Sequence, residues 1–180
     1  MSTPGDAFDS PAARELREQV AFGCRVLHRL GVRPSHLSAR LPGTPYVICK
    51  TRGGGGAEVT AEQTCLVDLD GGALAGGEPP AELALHLAIY RARPDVAAVG
   101  HTHQPLATAA LAGPHGRDDV PTYPDSEQIR TREAGTAMAQ ALGPHPFVHL
   151  RDHGMAIAGA SLDDVVARAV ELETWARAKA

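Results

Sequence analysis

Two histidines one residue apart, His101 and His103, close the apolar run "AAVGHTHQPLA" over 97–107. Side chains two apart on a strand share a face, so both imidazoles project together and Thr102 points away. Neutral imidazole is a good ligand for zinc and related divalent ions, at about 2.1 Å. A strand end gives such a pair rigid support. The segment "LRDHGMAIAG" supplies a third candidate ligand, His153. Gly154 after it could turn the backbone tightly and send that imidazole inward. A carboxylate candidate is Glu82, expected in the first turn of a helix after Pro79-Pro80, where negative charge is favoured. Three neutral imidazoles leave a divalent ion its full charge and open positions. Such an ion is a Lewis acid that could grip adjacent oxygens of a hydroxy-carbonyl or keto-acid compound and stabilise an enediolate.

The flanks exclude other contexts in which an HxH pair occurs. A metallo-β-lactamase pair needs Asp and His directly after it, and Gln104-Pro105 follow here. A cupin needs a Glu a few residues on, and the first is Glu127. A TIM-barrel amidohydrolase carries the pair near the start of a much longer chain. The 180 residues suit one domain with a full core. Only 4% are aromatic, so Val, Leu, Ala and Ile must build most of that core. The net charge of -4 and the lack of a basic run argue against nucleic acid or an anionic membrane as partner. No apolar run approaches a membrane span. The polar start "MSTPGDAFDSP" lacks a signal-peptide core, so a cytoplasmic protein is expected. Cys24, Cys49 and Cys65 form no CxxC pair, which argues against disulfides or a thiolate zinc site.

Elements must position the four candidates. Residues 1–9 read as a flexible tail and 10–180 as a single domain. Ser10 and Pro11 form an N-cap and first helical position, opening an amphipathic helix that ends at Gly31. "SHLSAR" and "PYVICK" read as strands joined by "LPGT". "TRGGGG" opens a glycine-rich loop that could cradle an anion on backbone N–H groups. "TCLVDLDGG" is a strand ending in an Asp-Gly hairpin signal. A helix with Leu83, His86, Leu87 and Tyr90 on one face stops at Pro94. The strand "VAAVGH", the helix "PLATAALAG" and a long irregular loop over 113–131 follow. The helix "EAGTAMAQALG", strands "FVHL" and "MAIAG", and a last helix led by a Ser161–Asp164 capping box complete the chain. Interleaved strands and helices give an α/β fold.

Several of these motifs occur together in a known order. "PPAELALHLAIYRARPDVAAVGHTHQPLATA" resembles the class II aldolase/adducin family, with its Glu-led helix, Arg-Pro-Asp turn and "HTH" strand. "LRDHGMAIAGASLDDVVARAVELETWA" resembles that family's closing segment, and "SHLSAR" and "LVDLDGG" match its earlier strands. The resemblance covers nearly the whole chain. It implies a three-layer α/β/α sandwich with a mixed, largely antiparallel central sheet. It implies a divalent metal on His101, His103 and His153, usually zinc, with Fe2+, Mn2+ or Co2+ as other occupants. Glu82 matches the family's acid/base residue, which in some members also ligates the metal; in that role it would move the proton, with its pKa raised by its surroundings toward the working range. A homotetramer with sites between subunits, acting on a small-molecule substrate, is implied too.

The match departs where sugar-phosphate members bind phosphate. Their Ser-Ser before the catalytic Glu is here Pro80-Ala81, and their Gly-Asn before the strand serine is Ser35-His36. Thr51 and Gly53 match the second phosphate loop. A non-phosphorylated oxo- or hydroxy-acid is therefore expected. His36, Ser38 and Arg40 share one strand face as substrate-binding candidates, Arg40 as a bidentate partner for a carboxylate. Some members use a C-terminal tyrosine that this chain lacks, and Tyr123 is the candidate substitute. The leading expectation is a metal-dependent carbon–carbon lyase, an aldolase or decarboxylase. An Fe(II) oxygenase of the same fold, a dehydratase or epimerase, and a non-catalytic adducin-like module are the alternatives.

Overall fold

The computed structural model describes residues 3–32, 35–53, 56–113 and 116–179. Eight strands form one sheet in the order β4-β3-β2-β1-β5-β8-β7-β6. They are β1 (Ser35–Arg40), β2 (Tyr46–Lys50), β3 (Thr64–Asp68), β4 (Ala73–Gly76), β5 (Ala98–Thr102), β6 (Thr122–Tyr123), β7 (Phe147–Leu150) and β8 (Gly154–Gly159). Every pairing is antiparallel except β6 with β7. Helices α2 (Pro11–Arg29), α4 (Pro105–Ala112) and α6 (Leu162–Arg177) lie on one face, and α3 (Leu83–Ala92) and α5 (Arg132–Leu142) on the other. The fold is the expected three-layer sandwich with a mixed, mostly antiparallel sheet.

Alternation explains how each strand serves two cores. On β1, Leu37 and Ala39 face the α2/α6 core, so His36, Ser38 and Arg40 face α3. On β5, Val99 joins the α3/α5 core and Gly100 faces α6. A Cβ at Gly100 would lie 2.7 Å from a Val165 methyl, so the glycine admits α6 onto the sheet. The faces of β1 and β5 that meet α3 therefore carry the polar residues at the end where His101 lies opposite His36.

Helix ends follow sequence signals. Ser10 Oγ accepts the Ala13 N–H at 3.2 Å, as its N-cap reading requires. Ser161 Oγ accepts the Asp164 N–H at 3.1 Å, while Asp164 reaches back to the Ala160 N–H instead of closing a box on Ser161. Two elements were unforeseen. Where a flexible tail is expected, Thr3 and Asp6 close a capping box on a short helix, α1 (Pro4–Phe8), which packs beside β4. The Asp-Gly turn returns as β4, as its hairpin signal implies, but β6 forms within the loop expected to be irregular. No described helix is long and apolar enough to cross a membrane. Cys24, Cys49 and Cys65 are buried free thiols.

Helices α3 and α5 meet across Gly135, where a Cβ would come within 2.7 Å of the Ala84 carbonyl oxygen. Gly135→Ala is expected to destabilise the protein by about 1–3 kcal/mol, because overpacking outweighs the helix propensity of alanine. A lowered urea midpoint at unchanged slope checks this.

Candidate metal centre

His101 is the penultimate residue of β5 and only 1% exposed. Its Nδ1–H donates to the Met155 carbonyl at 2.9 Å, across the β5–β8 pair. That bond puts the ring proton on Nδ1 and leaves a lone pair on Nε2. His103 lies one residue past the strand, with its Nε2 only 2.9 Å from His101 Nε2. His153 enters from the β7–β8 turn, and neither of its buried ring nitrogens has a protein partner. The three ring centroids are 4.8, 4.9 and 5.0 Å apart, and the rings meet edge to face.

Glu82 completes the group. Its Oε2 lies 3.2 Å from His101 Nε2 and 3.5 Å from His153 Nε2. Its Oε1 accepts the Ile129 N–H at 2.9 Å. Expected in the first turn of α3, it instead occupies the N-cap position with no side-chain cap bond. Its carboxylate makes no bond to the helix and is turned to the cluster. Burial pushes the Glu82 pKa up, but the adjacent His101 and His153 imidazoles and the hydrogen bond from the Ile129 amide outweigh it and hold the carboxyl well below its usual range. This corrects the expectation of a raised pKa: the resting group is an anion.

One ligand atom from each of Glu82, His101, His103 and His153 lies within 4.8 Å of the others. The donor chemistry suits a divalent cation. Without metal, the 2.9 Å contact is a hydrogen bond from the Nε2–H tautomer of neutral His103 to the His101 lone pair, and a cation held by both nitrogens would replace it. Burial and the neighbouring His101 and His153 hold the His103 pKa down to about 4, so that imidazole is neutral and able to ligate. A cation would also satisfy the orphaned Nε2 of His153. A cavity of about 280 Å³, lined by His103, Gln104, Pro105, Thr108, Asp152 and His153, adjoins the cluster.

Gly154 has a different role from the expected one. Its φ is not in the left-handed region; Asp152 carries that conformation, at φ 56°. Glycine is needed because a Cβ at 154 would sit 2.5 Å from the Thr102 carbonyl oxygen. The close approach brings the β7–β8 turn against the end of β5, and with it His153 against His103.

The other candidates are placed variously. His36 stands across from His101, with ring centroids 5.0 Å apart. Its Nδ1 meets His86 Nε2 at 2.8 Å, His86 Nδ1 meets Ser38 Oγ at 2.7 Å, and Ser38 Oγ meets Tyr90 Oη at 2.9 Å. Arg40, expected to hold a carboxylate, donates instead to the carbonyls of Val96 and Tyr90 at 2.9 and 2.6 Å, with its guanidinium over the Tyr90 ring. Thr51 is buried, and the Lys50 ammonium donates to the Thr51 and Gly53 carbonyls. The Thr51 and Arg52 N–H groups are taken by the Gln63 and Glu78 carbonyls, so these two cannot cradle an anion. Gly54 and Gly55 of that loop lie outside the described residues. Tyr123 is packed in the α3/α5 core on the edge strand β6, three strands from β5, and outside the four-residue cluster. Ile129, His86, Tyr90 and Lys50 were not foreseen as parts of the site.

The buried histidines make stability depend on pH. Burial, and then the charge of His101, depress the His86 pKa from 6.5 to about 3. Below 6.5 the unfolded chain takes a proton that the folded chain refuses, so acid favours unfolding across that window. Each such imidazole removes about 1.4 kcal/mol per pH unit. His86 alone therefore accounts for a loss of about 2 kcal/mol between pH 7 and 5. Equal urea midpoints at the two pH values would contradict a buried neutral His86.

Known proteins share much of this sequence and fold. Residues 18–180 match the family model of the class II aldolase and adducin N-terminal domain. The chain is similar to the 3,4-dihydroxyphthalate decarboxylase of Arthrobacter keyseri, 36% identical over 89% of this chain and 75% of that one. It is also similar to the methylthioribulose-1-phosphate dehydratase of Gluconacetobacter diazotrophicus, 31% identical over 91% of each. Among solved structures, an aldolase II superfamily protein from Pseudomonas syringae superposes with a TM-score of 0.85 at 25% identity, over 94% of this chain and 75% of that one. The chain therefore belongs to the class II aldolase and adducin N-terminal domain family, and it is a lyase of that divalent-metal-dependent superfamily.

Proposed function

We propose that the protein decarboxylates a small aromatic acid with neighbouring hydroxyl groups, 3,4-dihydroxyphthalate or a close analogue, on a zinc site built from His101, His103 and His153. The observation that carries this reading is the convergence of three imidazoles and the Glu82 carboxylate within 4.8 Å. Similarity to the Arthrobacter keyseri decarboxylase supports the substrate class. So does Pro80-Ala81, which offers no hydroxyl to a phosphate. The adjoining cavity of about 280 Å³ has room for a substituted benzene ring, since one of about 150 Å³ admits benzene itself.

When bound, a divalent cation on these imidazoles would grip two neighbouring substrate oxygens and draw off negative charge as the carbon–carbon bond breaks. Glu82 starts as an anion and takes the proton of a substrate hydroxyl. Ile129 N–H holds its Oε1, so Oε2 is the oxygen that accepts. Glu82 then returns that proton to the ring carbon bearing the carboxylate. The bond to the carboxylate breaks, CO2 leaves, and the released electron pair restores the aromatic ring. The product phenolate takes one proton from water, which closes the balance. The burial of Glu82 and His101 keeps bulk water from competing for the proton. A single domain over 10–180 and a homotetramer with shared sites complete this reading; Tyr123, buried within its own subunit, has no part in it.

Purified zinc-loaded protein is expected to release one CO2 per 3,4-dihydroxyphthalate. A chelator should abolish this and added zinc restore it. Turnover of sugar phosphates with no CO2 from the aromatic acid would overturn the substrate class.

A further inference from the structure

The chain His36–His86–Ser38–Tyr90 links four side chains across the interface of β1 and α3, and two of them, Ser38 and His86, are fully buried. We propose that Tyr90, Ser38 and His86 are positioning residues that fix the tautomer of His36, so that His36 offers an Nε2–H to a substrate oxygen beside His101. The direction follows from counting protons at the sealed end. Tyr90 is 1% exposed, and burial pushes its pKa above the ordinary range, so the hydroxyl stays protonated. Its one hydrogen-bond partner among the described residues is Ser38 Oγ, and the Val99 amide beside it is a donor. The Cys49 thiol, which lies against Ser38, is a weak acceptor that does not displace the bond to His86 Nδ1. Tyr90 therefore donates to Ser38, Ser38 donates to His86 Nδ1, and His86 Nε2–H donates to His36 Nδ1.

The reverse order would leave the Tyr90 O–H without an acceptor in the core, which costs more than a hydrogen bond returns. In the favoured order every proton has an acceptor, and the one left over is on His36 Nε2. That nitrogen is across the ring from His86, and no described residue takes it. His36 pairs in register with His101, so this donor is delivered to the edge of the metal cluster. The inner three residues touch no substrate and act only through His36.

The test combines ring-nitrogen NMR with kinetics on the full-length zinc-loaded protein. Long-range proton–nitrogen correlation of the wild type should show His36 protonated at Nε2 and bare at Nδ1. Tyr90→Phe keeps the ring but removes the first donor, and Ser38→Ala removes the middle link. Either should convert His36 to a mixture of tautomers. A His36 that keeps the wild-type pattern in both variants, or that carries its proton on Nδ1 in the wild type, overturns the proposal. The kinetic arm rests on the decarboxylase reading and the spectroscopic arm does not, so failure of one is distinguishable from failure of the other. With 3,4-dihydroxyphthalate, Tyr90→Phe should lower kcat/KM about tenfold, the worth of one hydrogen bond. In a His36→Gln background, whose amide donates without a tautomer, Tyr90→Phe should change little. An equal fall in both backgrounds would mark Tyr90 as merely structural.

Discussion

Glu82→Gln is expected to retain zinc and fold while kcat falls about 10²–10⁴-fold, the range a proton-transfer group supplies. The glutamine keeps an oxygen for the Ile129 N–H, so the 2.9 Å bond that orients the residue survives. What disappears is the site that takes and returns a proton. The fall should therefore appear in kcat, with KM little changed. Glu82→Ala is a poorer test, because it leaves the Ile129 N–H unpaired in a buried place and costs about 1–3 kcal/mol of stability as well. A Glu82→Gln enzyme within a few-fold of wild type would remove Glu82 from the chemistry and leave the proton without a carrier.

The second large effect concerns His153 and reverses sign with metal. Its ring nitrogens are buried and make no protein hydrogen bond. In metal-free protein, His153→Ala should leave stability level or raise it, because an unpaired buried polar group is removed. With zinc at a hundredfold excess over its Kd, the wild type should gain about 2.7 kcal/mol and the variant far less. Activity of the variant should fall by at least about 10²-fold, the upper end of what loss of a residue outside the ligand set costs. Thermal melts of both proteins with and without zinc test this crossover. A histidine present only for packing would give the same difference in stability with and without the metal.

The parts of the site legible in the sequence were those carried by side-chain type and period. The HxH pair announced itself, and the alternation of "SHLSAR" correctly put His36, Ser38 and Arg40 on one face. Glu82 stood out through the prolines before its helix and the family order of motifs. The Ile129 amide was invisible, because a backbone N–H has no residue signature. His86 and Tyr90 were legible only as one face of a helix, and periodicity does not say that the face meets Ser38 and His36 instead of apolar side chains. The sequence presents Arg40 as a bidentate partner for a carboxylate; it does not reveal that the carbonyls of Val96 and Tyr90, distant in sequence, take two of its five donors. Gly154 was given a turn role because glycine usually signals positive φ, whereas here it permits contact with the Thr102 carbonyl. The helix α1 was lost in a polar start whose capping box spans only four residues.

The central claim is that His101, His103 and His153 gather around one divalent ion. X-ray absorption at the zinc edge on protein loaded with one equivalent tests it most directly. The expected spectrum shows three imidazole nitrogens at about 2.0–2.1 Å with oxygen completing the shell, and replacing any one of the three histidines by alanine removes one imidazole contribution. Zinc bound with sulfur ligands, or a spectrum unchanged by all three substitutions, would contradict it.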